Sequence, residues 1–176
     1  DNAGPANVFT AYPEIYGPWS KMSQALMNGP SPLGQGEREL ILAYAAGVAG
    51  CEFVCEAHSQ VAYVRGVEAG VIDQLLTDLE TAPVEARLKP LLAFVRKLAL
   101  TPSEMSQADA EAVFEAGWDE QALHDAISVT ARAAFMQRLV EGHGFTPMSC
   151  ETAAKSAKQR VERGYVNLYP AFREDT

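Results

Sequence analysis

Strand patterning is almost absent from this sequence. No run of β-branched residues alternates with polar ones between turns, which argues against sheet and barrel folds. Long apolar runs are missing as well: none approaches the roughly 20 residues that cross a bilayer, so no integral membrane protein is expected. Basic residues are few. Fourteen Lys and Arg stand against 23 Asp and Glu, a net charge of -9, which speaks against binding nucleic acid through its phosphates. Cysteine is scarce, with three residues in 176. Two of them are close together, so they make no disulfide framework, and a reducing, cytoplasmic setting is expected. The opening DNAGPANVF lacks the basic and apolar regions of a signal peptide. No internal repeat or low-complexity stretch stands out.

What is present is helical periodicity. Apolar residues make up 48% and charged ones 21%, enough for one compact domain over residues 1–176 with a C-terminal arm from about 164. Pro13 to Met27 carries Ile15, Trp19, Met22 and Leu26 at spacings of three and four, and stops at Asn28-Gly29-Pro30. Further helices are predicted from Gly36 to Ala49, Cys51 to Val64, Ala69 to Leu79, and Val84 to Leu100 with a kink or break at Pro90. Ser106 and Asp119 cap two more, the second running to about Glu141 with Leu123, Ala126, Ile127, Thr130, Ala134 and Phe135 on one face. Cys150 to Arg163 is a more polar helix, and GYVNLYPAF reads as an extended tail with aromatic anchors. The expected fold class is all-α, a helical bundle of about eight helices.

Residues 50–59, GCEFVCEAHS, concentrate the chemistry. If Cys51 opens a helix, Cys51, Cys55 and His58 fall at i, i+4 and i+7 on one stripe. A thiol in the first turn feels the positive end of the macrodipole, and a histidine one turn on can take its proton. Two cysteines four apart on a helix are separated by about 6 Å, near the edge of disulfide reach. Spacing alone leaves three readings open: cysteines packed as small hydrophobes, thiol redox chemistry, or a metal site. A metal site is the weakest, since a closed zinc site needs four ligands and only Glu39 offers itself as the fourth.

The frame GERELILAYAAGVAGCEFVCEAH resembles the alkyl hydroperoxidase D-like and carboxymuconolactone decarboxylase superfamily, in its peroxidase-related branch. VFTAYPEIYGPWSKMSQALM, LLAFVRKLALTPSEMS and GWDEQALHDAISVTARAAFMQRLVEGHG extend the likeness over most of the chain. The resemblance implies an all-α alkyl hydroperoxidase D-like fold. Glu39 matches the family glutamate, Cys51 the first cysteine and His58 the histidine. The family's second, attacking cysteine falls on Val54, and Cys55 comes one position late, about 100° further round the helix. On this resemblance the catalytic set is Cys51, Cys55, His58 and Glu39, with no cofactor and no metal. The activity implied is thiol-dependent reduction of a hydroperoxide in antioxidant defence, with a dithiol reductant as partner.

Two other readings compete. One is a decarboxylase- or isomerase-like enzyme that moves protons on a small organic acid with His58 and Glu39. The other is a non-enzymatic helical oligomer that senses oxidants or carries a ligand. Val54, Arg138 and His143 are expected near the substrate pocket, Arg138 by resemblance to a pocket-side arginine. His124 reads as structural or interfacial, and Cys150 as an unpaired surface thiol. The tail aromatics and the broad apolar face after Asp119 predict a homo-oligomer built from dimers in which a terminal arm covers a neighbour, and the resemblance implies trimers or hexamers.

Overall fold

LILAYAA, residues 40–46, is apolar on every side, and a helix of that kind has to be surrounded. In the computed structural model, which describes residues 4–172, this segment is the middle of α3 (Gln35–Val48), and every residue from Arg38 to Ala46 is buried. The helices packed around it are α4 (Glu52–Val64), α5 (Val71–Thr77), α6 (Leu88–Leu100) and α8 (Glu120–Gly142). Outside these, α9 (Cys150–Arg163) lies on α4, α7 (Gln107–Glu115) on α6, and α2 (Pro13–Asn28) on α8, with α1 (Pro5–Ala11) leading into α2. Nine α-helices and two short 3-10 turns make up the described residues, with no strand among them.

The helix beyond the expected eight is α1, opened by Pro5 at its first position, where a missing N–H costs nothing. Pro90 neither kinks nor breaks a helix. α6 begins at Leu88 rather than Val84, so Pro90 falls in the first turn, where no carbonyl four residues back awaits its N–H.

The buried face of α8 is in part the predicted one: Leu123, Ala126 and Thr130 are buried, together with Val129, Arg132, Ala133, Met136 and Val140. Ile127 and Phe135 are instead 38% and 41% exposed, Phe135 stacking on Trp19 at 4.1 Å. The tail is not an extended arm either. Gly164, at φ +71°, turns the chain against Gln24, whose Oε1 accepts the Tyr165 N–H at 2.7 Å. Tyr165 is then buried, and Tyr169 packs on Phe9 at 4.9 Å, so these aromatics are taken up within their own chain. The last four residues of the predicted arm lie outside the described residues. No helix among the described residues is long and apolar enough to cross a membrane.

Candidate functional site

The α3–α4 hairpin turns through Gly50, which adopts φ +79°, a conformation that glycine takes without a Cβ penalty. Its N–H bonds the Gly47 carbonyl, and Cys51 N–H bonds that of Ala46. The two helices therefore run back along each other, and residue 39 of one meets residue 58 of the other. Glu39 is fully buried and His58 is 4% exposed. His58 Nδ1 lies 2.7 Å from Glu39 Oε2, and the Tyr165 hydroxyl donates to Glu39 Oε1 at 2.6 Å. Both carboxylate oxygens are thus occupied.

Electrostatics assign the protons. Burial, outweighing the pull of Glu39, lowers the His58 imidazole from 6.5 to about 4, so the ring is neutral at pH 7. Burial works to raise Glu39, but His58, the two hydrogen bonds and Arg132 prevail, and the carboxyl lies below its ordinary value. Burial and Glu39 push Tyr165 up, so it stays a phenol and a donor. With Nδ1–H given to Glu39, the remaining lone pair of His58 is on Nε2.

His58 lines a cavity of about 710 Å³. Its walls include Phe53 and Val54 of α4, Trp19 of α2, Met136 of α8 and Tyr169 of the tail. Arg132, 4% exposed, also lines it; its guanidinium lies 4.7 Å from the Tyr165 ring centroid and its Nε donates to Ser23 Oγ at 3.1 Å. Arg160 of α9 approaches the same ring at 5.2 Å.

The cysteines do not join this group. Cys51 is the N-cap of α4 with φ -91° and ψ 90°, outside the helical register, and its side chain is fully buried. Burial raises its thiol to about 11, with Glu141 adding to the effect. Cys55 faces away from the cavity toward α5. Its Sγ packs on Gly47 with Leu76 beside it, and Ser59 Oγ lies 3.9 Å away. Burial raises this thiol too. Neither cysteine lines the cavity, and all three cysteines are free thiols. The predicted stripe of Cys51, Cys55 and His58 is therefore not formed, because the N-cap breaks the register and α4 is packed on several faces.

Of the remaining predicted residues, Val54 does line the cavity. Arg138 does not; it is exposed and its Nη1 bonds the Ala134 carbonyl. His143 is exposed and stacks on Phe145 at 5.3 Å, outside the cavity. His124 and Cys150 are exposed. Two functional residues escaped the sequence reading. Arg132 had a signal, a charge in register with Val129, Ala133 and Met136. Tyr165 had none, since it was assigned to an extended tail. Among the described residues no cluster is arranged to hold a metal ion.

A helix hairpin that buries a carboxylate–imidazole pair beneath an aromatic cavity, inside an all-α array, defines the class. Two solved structures share this fold. One is described as alkylhydroperoxidase AhpD core, an uncharacterized peroxidase-related protein from Ralstonia eutropha JMP134, at TM-score 0.74 and 24% identity over 81% of this chain and 75% of that one. The other is an uncharacterized peroxidase-related protein from Silicibacter sp. TM1040, at TM-score 0.74 and 25% identity over 81% and 76%. The resemblance read from the sequence holds for the fold: this chain has the alkylhydroperoxidase D-like all-α architecture. No family model and no curated protein matches it.

The buried pair makes stability acid-sensitive. Unfolding restores His58 to an ordinary value near 6.5, so the unfolded chain binds a proton over pH 6.5 to 4 that the folded chain refuses. Stability is complete above about 6.5 and falls as pH drops through that window. The groups facing the ring, Glu39, Arg132, Arg160 and Tyr165, are on α3, α8, α9 and the tail. Between pH 7.5 and 5 the unfolding free energy should fall by about 2 kcal/mol from this group alone. Urea titrations will check it, and His58→Gln should flatten that part of the dependence.

Proposed function

We propose that the protein is an acid–base enzyme in which neutral His58 moves protons on a substrate held in the cavity. The observation that carries this is the polar floor of the cavity, a buried Glu39–His58 pair with no thiol beside it. Glu39 fixes the ring through Nδ1–H, as the carboxylate of a histidine–carboxylate pair does, and so presents Nε2 as the base. Nε2 takes a proton from carbon next to a carbonyl, leaving an imidazolium and an enolate whose charge the Arg132 guanidinium stabilises. The imidazolium then returns the proton to carbon, completing an isomerisation. In a decarboxylation the C–C bond electrons form the enolate as carbon dioxide leaves, and His58 relays a proton from water to that carbon, ending neutral again. Tyr165 stays protonated throughout and holds Glu39.

A second reading has its own support. The two solved neighbours carry the description peroxidase-related, and the Cys51 and Cys55 thiols are near enough to influence each other electrostatically. In that reading Cys51 or Cys55 attacks a hydroperoxide and becomes a sulfenic acid, releasing the alcohol. The other thiol then displaces water to form a disulfide, which a dithiol reductant reopens.

One experiment separates the two. Turnover of β-keto acids and unsaturated lactone acids is followed beside hydroperoxide consumption with dithiothreitol, before and after alkylation of the thiols. Acid turnover that survives alkylation and vanishes in His58→Gln is expected, with the acidic limb of kcat/KM near pH 4. Hydroperoxide consumption lost in Cys51→Ser, with no turnover of acids, would replace the first reading with the second.

A further inference from the structure

Two residues that line this cavity each carry a buried polar atom without a partner. Arg132 Nη1 and Ser20 Oγ make no hydrogen bond, although the two residues are 4% and 1% exposed, and both residues line the cavity. Buried polar groups are normally satisfied, and a lone buried guanidinium nitrogen is costly. They also belong together. Ser20 lies one turn before Ser23 on α2, and Ser23 Oγ accepts from Arg132 Nε at 3.1 Å.

Charge points the same way. The protein carries a net charge of -9, yet among the described residues no Asp or Glu lines this cavity, whereas Arg132 and Arg160 both do. Glu39, the nearest carboxylate, has both oxygens taken by His58 and Tyr165. It offsets one of the two positive charges without filling the vacant donor. Much of the remaining wall is apolar, with Phe9, Phe53, Met136, Met148 and Leu168, while Asn7, Thr146, Ser149, Thr152 and Ser156 add neutral polar groups.

We infer that the cavity takes an amphipathic organic acid. Its single carboxylate accepts from Arg132 Nη1 and Ser20 Oγ, and its apolar body lies along Phe53, Met136 and Met148. This assigns the substrate class of the site and rests on reading the cavity as the place of reaction. Arg132, not Arg138, is the anion receptor. Both contacts are of the charge-assisted kind that distinguishes a carboxylate from an alcohol of equal length.

The test is equilibrium binding, which needs no turnover. Decanoate, 1-decanol and decylammonium are titrated into the whole chain by calorimetry, with the fluorescence of Trp19, which lines the cavity, as a second readout. Decanoate should bind roughly 10- to 100-fold tighter than decanol, and decylammonium should not bind. Ser20→Ala removes a hydroxyl that bonds nothing in the free protein, so the variant folds; it should lose several-fold on decanoate and nothing on decanol. Arg132→Gln should abolish the preference for the acid, and Arg132→Lys should keep part of it. Equal affinities for acid and alcohol, or an unchanged preference in Ser20→Ala and Arg132→Gln, would overturn the inference. His58→Gln separates the two claims: it should still bind decanoate while losing turnover. Acid binding without His58-dependent turnover on any acid would sink the acid–base reading and leave the ligand class standing.

Discussion

Val54→Cys is expected to create a reactive thiol where the native protein has none in the cavity. Val54 is buried, lines the cavity beside His58, and is the position that the sequence resemblance aligns with the family's attacking cysteine. The Cys51 thiol already lies against the Val54 backbone N–H, so the new thiol would be close to it. Valine to cysteine removes little volume, and the stability change should be below about 1 kcal/mol. Sharing the cavity with the neutral imidazole of His58, the new thiol gains a base that the native Cys55 against Leu76 lacks. Hydroperoxide reduction with dithiothreitol should rise on the order of 10²-fold over the native protein, and Val54→Ala should show no gain. In a His58→Ala background the gain should disappear. A Val54→Cys variant as inactive as the native chain, with its new thiol alkylating no faster than Cys51, would show that this wall of the cavity cannot support thiol chemistry.

Glu39→Ala should produce the largest loss of stability of any single change at the site. The carboxylate is fully buried and accepts from His58 Nδ1–H and from the Tyr165 hydroxyl. Truncation leaves two buried donors without an acceptor and a void between α3 and α4. The cost should be about 3–5 kcal/mol, read from urea unfolding at pH 7. Because Tyr165 ties the tail to α3 through this carboxylate, proteolysis near residue 164 should quicken as well. Glu39→Gln keeps the shape and one acceptor oxygen, and should cost less than half as much. If Glu39→Ala unfolds at the native urea concentration, the buried pair contributes nothing to the hairpin, and its role as the orienting group for His58 fails with it.

Much of this protein was legible from residue order alone. Apolar spacings of three and four, Pro13 at a helix start and glycines at helix ends marked the helices, because helix periodicity and capping are local properties of the backbone. LILAYAA was legible only as part of a helix from Gly36 to Ala49; its burial on every side came from the packing. Glu39 and His58 were found through the pattern they share with a family, and the hairpin brings them together as that pattern implied.

Which face of each helix meets which neighbour was decided only in three dimensions. α4 packs against α3, α8 and α9, so more than one of its faces is buried, and angular position alone does not say which burial forms the cavity. Cys51, as an N-cap, left the helical register, and Cys55 turned toward α5 while Val54 and His58 faced the cavity. On α8 the resemblance had pointed to Arg138, whereas the packing turns Arg132, six residues earlier and about 120° round the helix, to the cavity. Tyr165 depended on Gly164 folding the tail back onto α2, a contact between residues 141 apart in sequence. Local propensity determines where helices begin and end, whereas the chemistry of the site depends on contacts between residues far apart in sequence, which only the packing of the whole chain selects.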